Sequence, residues 1–168
     1  MLTTTSPALS VASLLAARDA KRRKDREADE QLMRKKQEEL DAFKRRLDEF
    51  KLTDDRVEAV LVRIKRAFEN NEAELMLTSF PSSFCTDHGR AVNNPEPPRK
   101  NAGSERDREP EWLRTLPSGA RQIYDYWKAH LKPGGFGFSA RLISFNDGLP
   151  GDVGLFFSWP RSSSDPNR

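Results

Sequence analysis

The chain has 168 residues, of which 33% are charged and 36% hydrophobic, and its formal net charge is +3. That is more charge and less apolar material than an average globular chain carries, so one small domain with a charged appendage is expected. No run of roughly 18 apolar residues is present to span a membrane as a helix. The lone cysteine, Cys85, excludes an intrachain disulfide and fits a reducing, cytoplasmic setting.

Residues 1–10 read as a disordered N-terminus. The apolar run 8–17 has no basic residue ahead of Arg18 and no small-x-small cleavage pattern, so it does not read as a signal peptide. Residues 11–52 read as a charged helical arm. Leu40, Phe43, Leu47 and Phe50 recur at alternating steps of three and four, which places them on one helical stripe. The stripe is narrow, like the a/d seam of a coiled coil, and these four residues are the expected association seam. Around it, basic clusters containing Arg22 and Arg23, Lys35 and Lys36, and Arg45 and Arg46 alternate with acid pairs. Such alternation is the surface of a solvated helix. Those six cations are also the candidate phosphate contacts, but the neighbouring carboxylates repel the same phosphates, so any nucleic-acid binding would be weak and salt-sensitive.

A second helix is expected from about Asp54 to Glu69. Thr53 is placed to cap it, Asp54 and Asp55 face the positive end of its dipole, and Leu52 and Val57 occupy staple positions. Its apolar stripe, from Val57 through Phe68, is wide enough to lie on a globular core. The turn before it allows the arm and this helix to fold back as a pair; a kinked continuous helix is the rival geometry. Asn70-Asn71 offers a left-handed stop.

Residues 74–80 read as a strand that sets Leu75, Leu77 and Ser79 against Met76, Thr78 and Phe80, with Pro81 ending it. Residues 82–93 fit either a short helix capped by Ser82 or Ser83 or an irregular loop. Residues 94–110 are proline-rich and polar and read as a disordered loop. A helix follows, capped by Ser118, with Ala120, Ile123, Tyr124, Trp127 and Leu131 inward and Pro133-Gly134-Gly135 as its stop. Residues 136–145 and 153–159 read as strands joined by a loop around Asp147-Gly148 that is longer than two residues. Residues 161–168 read as a disordered tail. The expected fold is therefore α+β: a long charged N-terminal helix, then a small domain over residues 53–160 with a three-stranded antiparallel sheet and packed helices.

Catalytic signals are weak. Cys85-Thr86-Asp87-His88 holds the ingredients of a thiol nucleophile, but no helix or strand puts all three groups on one face. His130 is the only other histidine, so a structural zinc lacks ligands. Gly148, Gly151 and Gly154 mimic a phosphate loop but lie between strands, so they read as a turn needing positive φ. Gly135-Phe136-Gly137-Phe138 only partly matches the RNA-recognition sheet pattern, and the element order differs, so the aromatics read as core. No family is recognised. No cofactor, metal or catalytic residue is expected. The leading reading is a non-enzymatic interaction protein whose arm associates with itself or a protein partner and presents the small domain. The alternative is a weakly basic nucleic-acid-associated protein. No membrane partner is expected.

Overall fold

The computed structural model describes residues 9–97, 103–104 and 108–161. Of the segments expected to be disordered, residues 1–8, 98–102, 105–107 and 162–168 lie outside them. The chain divides between Phe43 and Lys44 into two compact units. Helix α1 (Val11–Asp48) forms the first and ends in the second. It contains no glycine or proline and is rich in Ala, Leu, Glu, Lys and Arg, the strongest helix formers. Ser10 and Ser13 cap its start reciprocally, each hydroxyl accepting the other's backbone N–H at 3.1 and 3.2 Å. Residues 44–52, which periodicity groups with the arm, lie in the second unit.

Helix α2 (Asp54–Glu69) starts where expected, after an extended Thr53, although the Thr53 side chain makes no capping bond. Its end is a Schellman closure. Asn71 takes φ 60°, its N–H donates to Phe68 O, and the Glu72 N–H donates to Ala67 O. Ile64 and Ala67 are buried, while Val57, Val60 and Leu61 are half-buried.

The three-stranded antiparallel sheet has the order β1-β5-β2, with β1 (Glu74–Pro81), β2 (Gly137–Leu142) and β5 (Asp152–Ser158). Leu75 faces Phe157, but the next two steps face Met76 to Phe156 and Thr78 to Leu155. Leu77 is therefore the extra residue of a bulge. Strict alternation would set Thr78 and Phe80 opposite Leu75; the bulge brings them onto its face, and Phe80 is 1% exposed. On the other side Phe138, Ala140 and Leu142 alternate along β2 and face Phe157, Leu155 and Val153.

Between β2 and β5, strands β3 (Phe145–Asn146) and β4 (Leu149–Pro150) form their own ladder. Asp147 (φ 50°) and Gly148 (φ 81°) make a two-residue turn of the type that matches strand twist. The expected longer loop is thus replaced by a short hairpin, and Gly151 closes its base by donating to Ser144 O. The three spaced glycines do separate jobs, and only Gly148 has positive φ.

Residues 82–93 combine both expected forms: a 3-10 turn at Ser82–Phe84, then a loop and helix α3 (Arg90–Asn93). Ser82 caps nothing; its hydroxyl donates to Pro150 O. Helix α4 (Ser118–Tyr126) follows Pro117 without a side-chain cap, and a π turn over Trp127–Leu131 extends it. This segment covers the sheet face of Phe138 and Phe157. Phe138 sits among Trp112, Tyr124, Trp127 and Phe157, with ring centroids 5.7–5.9 Å away. The buried indoles are satisfied: Trp127 Nε1 donates to Phe136 O and Trp159 Nε1 to Glu72 O. At the edge of the expected loop, Glu109 is half-buried, with its side chain 7% exposed and paired with Arg121 at 2.7 Å.

Candidate functional site

Three polar contacts fasten the end of α1 to α4. Ser118 Oγ donates to Asp48 O, Gln122 Nε2 donates to Phe50 O, and Gln122 Oε1 accepts from the Leu52 N–H. The approach is close because Gly119 has no side chain: a Cβ there would sit 1.9 Å from Leu47 O. Leu47 is consequently 8% exposed. Ser118, read as a cap for its own helix, instead donates to the last carbonyl of α1, Asp48 O.

Held this way, the segment forms one wall of an apolar groove of about 350 Å³. Leu47, Phe50 and Leu52 line that wall, Val57, Ala59 and Val60 of α2 the second, and Ile123 and Tyr126 of α4 the third. Leu77, Thr78 and Phe157 form the floor. The bulge matters here, because it turns both Leu77 and Thr78 toward the same side. Two arginines of α2 stand in the lining. Arg56 Nη1 donates to Lys51 O while its guanidinium lies 4.7 Å over the Phe50 ring, and Arg63 Nη2 donates to Met76 O. Among the described residues neither has a carboxylate partner.

Of the four expected seam residues, Leu47 and Phe50 thus line a groove of the second unit. Leu40 is 39% exposed and Phe43 half-buried on the earlier part of α1. The expected phosphate contacts Arg22, Arg23, Lys35, Lys36, Arg45 and Arg46 are all exposed. Acids flank the arginines at helical spacing, in Asp19-Arg23-Glu27, Glu30-Arg34-Glu38 and Asp41-Arg45-Glu49. Acid and Arg four residues apart are neighbours on the helix surface, so Arg23 and Arg45 each have a carboxylate one turn away on either side.

The groove was missed because its walls come from separate segments. Its one sequence signal is the width of the α2 stripe, of which Ile64 and Ala67 serve the core and Val57 and Val60 the groove.

Cys85 is 2% exposed. Burial, and then the charge of Asp87, push its thiol up to about 11, against weaker lowering by hydrogen bonds with Thr115 and Gly89. Asp87 is occupied by backbone, accepting from the Gly89 and Ala91 N–H groups at 3.0 and 2.7 Å. His88 is exposed with φ 56°, and His130 stacks on Tyr126 with centroids 4.9 Å apart. The Cys85-Asp87-His88 cluster therefore has a protonated thiol and a carboxylate committed to a turn. Among the described residues no group of three or more His, Cys, Asp or Glu is placed to hold a metal ion.

Cys85 should react with a disulfide reagent at pH 8 at least about a hundredfold more slowly in the native chain than in urea, since the thiolate is the nucleophile. Its folded pKa lies above the usual 9.0. The stabilising neutral thiol is fully present below pH 9 and lost as pH rises toward 11, a contribution on the order of 2 kcal/mol. The urea midpoint should fall more between pH 8 and 10.5 in wild type than in Cys85→Ala. Equal falls would refute the linkage.

The chain is a small α+β protein with a long N-terminal helix. No described helix is long and apolar enough to cross a membrane. Comparison with known protein families, curated proteins and solved structures returns no match.

Proposed function

We propose that this is a non-enzymatic interaction protein in which α1 associates with a protein partner, a second copy being the simplest, and carries the small domain with it. The supporting observation is the apolar exposure of α1. Val11, Leu14 and Leu15 are 74%, 53% and 43% exposed, and Leu32, Met33 and Leu40 are 52%, 66% and 39% exposed. Met33 and Leu40 are seven residues apart and share a stripe. A helix built only to be solvated would not need them, since its i,i+4 charge pairs already favour the helix by a few tenths of a kcal/mol each.

Leu47 is unsuitable as the probe, because it is part of the folded domain. The informative variant is Met33→Asp/Leu40→Asp. Light scattering after size exclusion should give the wild-type chain a mass above its 19.2 kDa monomer, falling to the monomer in the variant. Its far-UV helix signal should fall only with dissociation, and the domain's urea midpoint should hold. A wild type that stays monomeric at high micromolar concentration would refute self-association.

A further inference from the structure

We propose that the groove between α2, α4 and the sheet is a binding site for a long-chain amphiphile with an anionic head group. The proposal is independent of association through α1. Its volume of about 350 Å³ falls in the range of small-molecule sites, roughly 300–1,000 Å³. The walls and floor are aliphatic and aromatic, which suits an alkyl chain and gives a polar ligand almost nothing to bond. The described polar groups in the lining are few: the two guanidiniums, the Thr78 hydroxyl and the Tyr126 phenol.

Charge selects the head group. Arg56 and Arg63 lie seven residues apart on α2 and so share one face of it. Each spends one N–H on a backbone carbonyl, which orients the guanidinium, and keeps its other donors. Neither is neutralised by a carboxylate among the described residues. A carboxylate or similar anion at the end of an alkyl chain would meet charge-assisted donors while the chain lies on the half-buried Val57, Val60 and Leu77.

The chain's own undescribed segments are poor occupants. Residues 1–8, 98–102, 105–107 and 162–168 contain Met1 and Leu2 as their only large apolar side chains.

The test uses the full-length protein with dodecanoate and the uncharged dodecanol, titrated calorimetrically below their aggregation limits. Dodecanoate should bind once per chain, at least about tenfold more tightly than dodecanol. Arg56→Gln/Arg63→Gln should remove that advantage and leave dodecanol unchanged. Ala59→Trp, which adds bulk at an exposed position of the lining, should weaken both, with the urea midpoint of each variant confirming that it folds. Three results would overturn the proposal: no saturable 1:1 binding, equal affinity for the two probes, or dodecanoate binding unaffected in both variants. A wild-type dimer that excludes dodecanoate, and becomes monomeric in Ala59→Trp, would also overturn it by making a second copy the occupant.

Discussion

Gly119→Ala is expected to destabilise the small domain by about 3 kcal/mol or more, at or beyond the upper end of the range for overpacking. Helix propensity alone predicts the opposite sign, since Ala is favoured over Gly within a helix by about 1 kcal/mol. The added methyl would stand 1.9 Å from Leu47 O and 2.9 Å from the Phe50 Cβ. The first of these is backbone, so no rotamer change relieves it. The helix end must instead move away, which breaks the bonds from Ser118 and Gln122 and opens the groove wall. Ser118→Ala, which removes one exposed hydrogen bond, should cost only about 0.5–1.5 kcal/mol. Urea denaturation of the three proteins measures both effects. A near-neutral Gly119→Ala would mean that the end of α1 is not seated on α4 in solution.

Phe138 is half-buried, so Phe138→Ala should cost about 3 kcal/mol, the lower end of the range for removing a packed aromatic side chain. The ring touches four others, and such aromatic pairs add roughly 0.5–1.5 kcal/mol each beyond burial. It also lies opposite Phe157 on the central strand, so its loss loosens the contact between sheet and α4. Near-UV circular dichroism should lose intensity, because Trp112 and Trp127 lose a common neighbour. Phe138→Leu, which keeps most of the volume, should cost markedly less. A loss under about 1 kcal/mol in Phe138→Ala would show that this cluster is not the centre of the core.

Helices and strands were legible wherever a local pattern carried them. The Leu40–Leu47 and Val57–Phe68 periodicities, the Asn70-Asn71 stop and the alternation of Phe138, Ala140 and Leu142 are one-dimensional signals, and each corresponds to an element of the structure, whereas Phe50, which the same periodicity places on the arm helix, falls beyond its end at Asp48. The misreadings share a cause. Strict alternation puts Thr78 and Phe80 on the wrong face because a bulge at Leu77 inserts one residue, and a bulge depends on the partner strand. Ser118 looked like a cap because hydroxyls before helices usually are; here a foreign carbonyl from Asp48 claims it.

By itself the sequence determined that a long charged helix precedes a small α+β domain with a three-stranded antiparallel sheet. Periodicity and turn chemistry act between residues a few positions apart, so they can be read along the chain. Only the tertiary structure decided that Leu47 and Phe50 line a groove with Val57, Leu77 and Ile123, and that Arg56 and Arg63 stand in its lining without carboxylate partners among the described residues. Those relations join positions as far apart as Leu47 and Ile123. They depend on how closely two backbones approach at Gly119, and no local pattern encodes that distance.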